Sequence, residues 1–369
     1  MKNRFLILLS FVLIVGRDVV CANTSMVRER ININRDWRYQ IDDPDGVGAA
    51  LHYSRLKPYL LPCANDFIIF GKRYQRPEGN PGENIAYVKS DFDDSEWRHL
   101  NLPHDWAIEG PFNIDYNGST GKLPYWGIRW YRKTLELSQD DAGKQIYLDI
   151  DGAMSYVSVW CNGQYVGGWP YGYASFRLDL TPYIKAGQKN VLAIRLDNPD
   201  DTSRWYPGSG IYRNVWLVKT SPVHVEQWGT FVRNQQVDSE IAVMEMGVNI
   251  ENHAGEDVQV KLQTSVYLQG KDGRPVGEEV TQSMTKDIAI KKDSWSSARF
   301  QFKVDKPKLW DIDTPNCYVA VSRVFMDGKE MDSYETPFGI RTIEFTHNQG
   351  FMLNGQKVAI KGVCMHHDL

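Results

Sequence analysis

The chain has 369 residues, with 42 lysine and arginine residues against 46 aspartate and glutamate residues and a formal net charge of −4. This length leaves room for two or three domains with apolar cores of their own. Because there is no basic excess, the composition argues against nucleic acid or an anionic membrane as the binding partner.

The first 22 residues have the pattern of a secretory signal peptide. Lys2 and Arg4 precede an apolar run at residues 5–15, and Ala22 offers a small residue for cleavage. The run is too short to cross a bilayer as a helix, so no transmembrane segment is predicted. We expect the mature chain to begin near Asn23 and to be secreted or periplasmic.

Removal of this leader takes away three basic residues and one acidic residue, so the formal net charge falls from −4 to −6. Cys21 raises the alternative of a lipid-anchored lipoprotein. Asp18 argues against it, because an apolar residue is typical three positions before the anchored cysteine.

Residues 23–222 are predicted to form the first folded domain, rich in aromatic residues and glycine. Apolar and polar residues alternate at 146–151 and at 192–197. Successive side chains of a strand point to opposite faces, so each stretch predicts a half-buried strand. The stretch 42–83, rich in proline, glycine and single charges, predicts an inserted surface loop with one short element near residues 66–70.

Residues 223–335 are predicted to form a second domain of plainer, polar-faced strands. Alternation recurs at 258–263 and at 298–304, and Asp272-Gly273 and Asp327-Gly328 predict tight turns between strands. The number and spacing of the strands fit a small immunoglobulin-like sandwich. No segment after residue 22 carries an apolar stripe of helical period over three turns, so the fold class is all-β.

Residues 336–369 are predicted to leave this domain and to enter a new one. Asn354-Gly355 between apolar residues predicts a hairpin, because both turn positions need a positive φ. A strand is predicted to open at Val358 and to end near His366, as the first strand of a further domain.

The cysteines of the mature chain are scattered: Cys63, Cys161, Cys317 and Cys364. Their spacing shows neither a disulfide framework nor a zinc signature, so we expect free and mostly buried thiols. No metal site and no cofactor are predicted.

The candidate binding residues lie in the loop at 203–213. Pro207, Gly208 and Gly210 prevent regular strand pairing, so Arg204 and Trp205 are held on irregular backbone. An indole can stack on the apolar face of a sugar ring, and a guanidinium can donate to hydroxyl groups. The alternative is architectural, with Trp205 buried under a corner and Arg204 in an ion pair.

Three motifs, in order along the chain, resemble glycoside hydrolase family 2, which includes β-galactosidases and β-glucuronidases. They are DDSEW and LPHDW within residues 93–106, SRWYPGSGIYRNVWL at 203–217, and FGIRTIEF, GFMLNG and IKGVCMHHDL within 338–369. The resemblance covers residues 33–369. It implies a jelly-roll sugar-binding domain at 23–222, an immunoglobulin-like sandwich at 223–335 and, in 336–369, the first strand of a catalytic (β/α)₈ barrel.

The resemblance also implies roles for single residues. His366 takes the sugar-contacting position of the pattern Gly-Val-x-x-His, and Arg204 and Trp205 would reach the same sugar from the loop. The acid/base of the family is the glutamate of an Asn-Glu dipeptide, and no such dipeptide occurs in this sequence. The catalytic residues are therefore expected to be absent, and the chain is expected to be an inactive N-terminal portion of a longer enzyme.

The predicted function is that of a retaining exo-β-glycosidase acting on β-linked oligosaccharides, with β-galactosidase preferred because the loop and the His-His-Asp motif look most like that branch. A β-glucuronidase or a β-mannosidase of the same family is the close alternative. A non-catalytic carbohydrate-binding or adhesion protein is the alternative from another class. The sequence leaves an oligomer open.

Overall fold

The computed structural model describes residues 27–67, 72–200 and 203–364. The predicted signal peptide at residues 1–22 lies outside these residues. So does His366, the residue that is predicted to contact the sugar. The regular secondary structure of the described chain consists mainly of antiparallel strands, which confirms the predicted all-β class. No helix in the described ranges is long and apolar enough to span a membrane.

The first unit is the expected jelly-roll sandwich. A four-stranded sheet has the order β1-β10-β5-β8, and a six-stranded sheet has the order β3-β2-β4-β9-β6-β7. The strands are β1 (Glu29–Asn32), β2 (Trp37–Ile41), β3 (Arg98–Leu100), β4 (Gly127–Glu136), β5 (Gln145–Ile150), β6 (Val157–Cys161), β7 (Gln164–Trp169), β8 (Phe176–Asp179), β9 (Lys189–Asn198) and β10 (Val215–Thr220).

The second unit is the expected immunoglobulin-like sandwich. One sheet has the order β11-β12-β16, and the other has the order β14-β13-β17-β18 with β15 also on β13. The strands are β11 (Val223–Val237), β12 (Ile241–Asn252), β13 (Val258–Gln269), β14 (Pro275–Val276), β15 (Met284–Ile290), β16 (Ser294–Asp305), β17 (Tyr318–Met326) and β18 (Lys329–Phe338). The predicted end of this domain at residue 335 falls inside β18.

A small three-stranded sheet follows, made of β19 (Ile343–Thr346), β20 (Gly350–Leu353) and β21 (Gln356–Lys357). Its second turn is the predicted one, because Asn354 and Gly355 have φ values of 51° and 74°. Within the described residues, the strand predicted from Val358 to His366 is not formed. Residues 358–364 pair in no ladder, and Ile360 and Val363 are 70% and 87% exposed.

Free thiols are confirmed for Cys161, Cys317 and Cys364, but the expectation that most of the four cysteines are buried is not, since Cys63 and Cys317 are only half-buried. Only Cys161 is fully buried, and burial raises the pKa of its thiol to about 12. Cys364 is exposed at the end of the described chain.

The stretch 42–83 is not the surface loop that its composition predicts. It contains the helix α1 (Tyr53–Leu60), followed by a short 3₁₀ segment at Leu61–Phe67. The helix buries Leu56 and Leu60 in a cluster that includes Trp130 and Trp160 of the six-stranded sheet. Sequence pattern missed α1 because it has only eight residues, two of them buried, and contains Pro58.

The described residues of the stretch 42–83 cover the outer face of the six-stranded sheet. This covering layer changes the burial of the strands beneath it. In β9 the residues Leu192, Ile194 and Leu196 face the sandwich core, while Ala193 faces the cluster under α1. Arg195, on the same face as Ala193, is buried and paired with Asp43 of the covering layer. The strand predicted to be half-buried is therefore buried on both faces.

The two sandwiches meet through a buried ion pair. Arg28 donates to Asp332 of the second sandwich at 2.9 and 2.8 Å and to the carbonyl oxygen of Val225 at 2.6 Å. The carboxylate of Asp332 also accepts from the Val225 N–H at 2.8 Å and is fully buried. Since all its contacts are short and directional, this group fixes how the first sandwich sits against the second.

Candidate functional site

The loop at 203–213 joins β9 to β10 and is held firmly at its base. Met154 and Gly210 exchange backbone hydrogen bonds of 2.9 and 3.2 Å. The buried side chain of Asn198 donates to the carbonyl oxygen of Gly208 at 3.1 Å. These bonds satisfy backbone groups that irregular chain would otherwise leave unpaired, so the base of the loop is rigid.

Gly210 allows the loop to approach the 102–106 segment closely. Its φ is 84°, a conformation that glycine adopts without strain. A Cβ atom there would clash with the carbonyl oxygen of His104 and would lie 2.8 Å from the Tyr131 hydroxyl. The glycine that the sequence marks as a breaker of strand pairing is thus required by packing.

His104 and Asp105 hold the base of the loop by hydrogen bonds, His104 through its backbone N–H and Asp105 through its carboxylate. The Nδ1 of buried His104 lies 2.7 Å from the Tyr131 hydroxyl. The carboxylate of Asp105 accepts from the Tyr206 hydroxyl, 2.7 Å from each oxygen. Burial raises the pKa of Asp105, a shift that the bond from Tyr206 opposes, and burial also raises the pKa of Tyr206. Tyr206 therefore stays protonated and donates, and the pair braces the loop.

Arg204 and Trp205 lie at the exposed tip of this braced loop. Trp205 is 41% exposed, so the architectural alternative of a buried tryptophan is wrong. Its Nε1 donates to the hydroxyl of Tyr173 at 3.1 Å, and that hydroxyl donates to the carbonyl oxygen of Pro207 at 2.9 Å. These bonds fix the orientation of an indole whose ring remains open to solvent.

Trp205 belongs to a surface of three exposed aromatic residues, Tyr171, Tyr173 and Trp205, which we name the aromatic platform. The rings of Tyr171 and Tyr173 are 5.6 Å apart in an edge-to-face arrangement. The segment that carries them is held by Tyr212, whose hydroxyl donates to the carbonyl oxygen of Gly172 at 2.7 Å. Flat, rigid aromatic faces of this kind suit the apolar side of a sugar ring.

Sequence reasoning missed Tyr171 and Tyr173 as members of the candidate site. The available signal was the run Trp169-Pro170-Tyr171-Gly172-Tyr173, in which proline and glycine interrupt a strand between aromatic residues. The predicted convergence of Arg204 and Trp205 with His366 concerns a residue outside the described ranges. It stays a prediction.

The geometry of the loop predicts a measurable effect of Tyr206→Phe. The change removes the hydroxyl donor to the Asp105 carboxylate, while the Ala107 N–H still donates to it at 3.0 Å. We expect a loss of about 1–3 kcal/mol in the free energy of unfolding, measured in urea. Tyr171→Phe is the control, because this 60% exposed ring should leave the midpoint unchanged. Equal midpoints for the two variants would show that the brace is unimportant.

Comparison with known proteins connects this fold and loop to one family. Residues 87–221 match "Glycosyl hydrolases family 2, sugar binding domain", and residues 223–341 match "Glycosyl hydrolases family 2". The chain belongs to glycosyl hydrolase family 2. The aromatic platform and the loop at 203–213 both lie within the residues matched to the sugar-binding domain of the family.

Relatives with curated names support this assignment. The chain is 41% identical over 354 residues to "Beta-galactosidase BoGH2A" of Bacteroides ovatus, covering 95% of this chain and 36% of the relative. It is 34% identical to a "Putative beta-glucuronidase" of Formosa agariphila, covering 81% of this chain and 28% of that protein. The chain thus spans about a third of the length of these relatives.

Solved structures share the fold. A glycosyl hydrolase family 2 member from Bacteroides cellulosilyticus matches 92% of this chain and 38% of its own, with a TM-score of 0.74 and 29% identity. A β-glycosidase from Bacteroides vulgatus matches 92% of this chain and 37% of its own, with a TM-score of 0.70 and 31% identity.

Proposed function

We propose that the protein is a β-galactosidase of glycosyl hydrolase family 2 and that this chain helps to bind the terminal galactosyl group. The observation that carries the proposal is the exposed tip of a rigid loop, where Arg204 and Trp205 are exposed and Trp205 is hydrogen-bonded to Tyr173. The 41% identity to a protein named as a β-galactosidase supports galactose as the sugar.

The chemistry of the tip fits a sugar at the end of a chain. The indole of Trp205 offers a stacking face whose orientation is fixed by Tyr173. The guanidinium of Arg204 offers several N–H donors to hydroxyl groups. One stacking ring and one donor group in contact with water provide weak affinity by themselves, of the order of millimolar. The site is therefore suited to complete a sugar pocket formed mainly by other residues.

The specificity is tested with the enzyme that contains this chain. Aryl β-galactoside, aryl β-glucuronide and aryl β-mannoside are compared as substrates by their kcat/KM values. We expect the galactoside to be preferred. A higher kcat/KM for the glucuronide or the mannoside would mean that the enzyme is specific for that sugar and not for galactose. No hydrolysis of any of the three, with the protein folded, would favour a non-catalytic carbohydrate-binding role.

We expect the 369-residue chain, purified alone, not to hydrolyse aryl β-galactosides. A retaining glycosidase needs two carboxylates roughly 5–5.5 Å apart, and the acid/base that the family places in an Asn-Glu dipeptide has no counterpart in this sequence. The measurement is release of nitrophenol by material separated from host glycosidases. Turnover that co-purifies with the chain through several columns would contradict this expectation.

We also propose that the protein is exported. The basic start and apolar run at residues 2–15 support this, as does the small residue Ala22. Mass spectrometry of native material should find an N-terminus near Asn23. Retention of Met1 would rule out cleavage, and a diacylglyceryl group on Cys21 would support the lipoprotein alternative.

A further inference from the structure

A cluster of three ligand-type side chains lies in the second sandwich, away from the loop at 203–213. His224 is on β11, Glu251 is on β12, and His253 follows β12 directly. His224 and Glu251 are directly opposite each other in the antiparallel ladder, and His253 follows Glu251 by two residues. Pleating places opposite residues, and residues two apart, on one face of a sheet, which brings the three side chains together.

The distances within the cluster suit a common ligand. The Nε2 of His224 and the Nε2 of His253 lie 3.3 and 3.5 Å from the same carboxylate oxygen of Glu251. The three ligand atoms lie within 4.8 Å of one another. Zinc bound tetrahedrally at about 2.0–2.1 Å from nitrogen and oxygen separates its ligands by about 3.3 Å. Two of the three separations therefore already match, and only the two imidazoles must move closer.

The surroundings allow a cation to enter and to be held. The side chain of His224 is fully buried, whereas those of Glu251 and His253 are 29% and 40% exposed. The hydroxyl of Tyr147, from the first sandwich, lies 3.3 Å from the Nε2 of His224. A hydroxyl group of the first sandwich therefore borders the cluster.

We propose that His224, Glu251 and His253 form a binding site for a divalent transition-metal cation, of which zinc is the representative. Two imidazole nitrogens and one carboxylate oxygen are a ligand set that such cations prefer over calcium or magnesium. The cation would link β11 to the end of β12 beside the peptide that joins the two sandwiches. Its role would be to stiffen this junction.

The affinity should be moderate. When Nε2 of His224 binds a metal, Nδ1 must carry the ring proton, and this buried atom has no hydrogen-bond partner among the described residues. Partners of that kind typically contribute about 10–100-fold to metal affinity. We therefore expect a dissociation constant in roughly the micromolar range rather than the nanomolar range.

The experiment must first remove a competing set of ligands near the end of the chain. Cys364, His366 and His367 are close in sequence and could bind zinc by themselves. The starting protein is therefore the chain with Cys364→Ser, His366→Ala and His367→Ala, treated with a chelator and dialysed. Zinc chloride is then titrated by calorimetry, and thermal unfolding is recorded with zinc and with the chelator.

We expect one zinc ion per chain and a rise in the unfolding temperature with zinc, because a ligand that binds only the folded state stabilises it. His253→Ala and Glu251→Gln should each weaken binding at least about tenfold. His347→Ala, which removes an exposed histidine elsewhere, should leave it unchanged. Both test positions are partly exposed, so neither variant depends on refilling a buried cavity.

Two results would overturn the proposal. One is the absence of single-site binding at zinc concentrations of about 100 µM, or binding that His253→Ala does not change. The other is an unfolding temperature that depends on pH in the presence of chelator and does not respond to zinc. In that case the cluster is a network of hydrogen bonds between protonated histidine and carboxylate.

Discussion

Replacing Asp43 by alanine is expected to destabilise the first sandwich by about 3–5 kcal/mol. The carboxylate of Asp43 accepts two hydrogen bonds from Arg195, at 2.8 and 2.9 Å, and a third from the Nε1 of Trp130 at 2.8 Å. The side chain of Arg195 is only 4% exposed. Without Asp43 its charge stays buried and loses its main partner, which is the costly way to break an ion pair.

The lower end of that range is the more reasonable expectation. The carboxylate of Asp197 lies 3.2 Å from Nη1 of Arg195, so it still compensates part of the buried charge of Arg195 when Asp43 is removed. Unfolding in urea, followed by tryptophan fluorescence, measures the change. The control is Asp45→Ala, an exposed aspartate two residues away that should leave the midpoint unchanged.

A double variant separates lost charge pairing from lost packing. In Asp43→Ala/Arg195→Met the buried charge is removed together with its partner, so most of the lost stability should return. A single-variant loss of less than about 1 kcal/mol would mean that the covering layer is not held by this pair. A double variant as unstable as the single variant would assign the loss to packing.

In the proposed full-length β-glycosidase, His366→Ala is expected to lower kcat/KM at least tenfold without unfolding the protein. If His366 donates to a ring hydroxyl, the contact strengthens as charge develops at the anomeric carbon. Losing one such contact typically costs about 2–4 kcal/mol, or about 10²–10³ in rate. His367→Ala is the matched control, because it removes the same side chain one residue away from the position that the family pattern Gly-Val-x-x-His assigns to the sugar.

Arg204→Ala and Trp205→Ala are expected to act differently from His366→Ala. We propose that both residues contact substrate from the loop, so their loss is expected mainly to raise KM and to leave kcat closer to that of the parent. Tyr173→Phe removes the acceptor that orients the indole of Trp205, so a smaller rise in KM is expected. Kinetics close to those of the parent for Arg204→Ala, Trp205→Ala and His366→Ala together would mean that the three residues serve architecture alone.

The sequence by itself determined the strands and turns that have a clear local pattern. The alternation at 146–151, 192–197, 258–263 and 298–304 gave β5, β9, β13 and β16. Asp327-Gly328 and Asn354-Gly355 adopt positive φ values at both positions, as two-residue hairpin turns need, whereas in Asp272-Gly273 only the glycine does. These features depend on residues within a few positions of one another, so a single sequence is enough to read them.

The family motifs predicted more than the local sequence pattern did, because a match to the family implies both a fold and the residues that bind substrate. They placed the candidate loop at 203–213, and the structure then showed that its tip is exposed and its base is braced. The motifs did not indicate Tyr171 and Tyr173. These residues join Trp205 only because two loops, more than thirty residues apart in the chain, meet at the same end of the sandwich.

Only the tertiary structure decided which strand faces are buried and which polar groups are paired. The stretch 42–83 reads as a loop, yet it covers the outer face of β9 and supplies Asp43 to Arg195, 152 residues away. His224, Glu251 and His253 are unremarked in the sequence and meet only through the register of β11 and β12. Such contacts join residues that are distant along the chain, and the free energy that selects them comes from burial and from compensation of charge, which local periodicity does not encode.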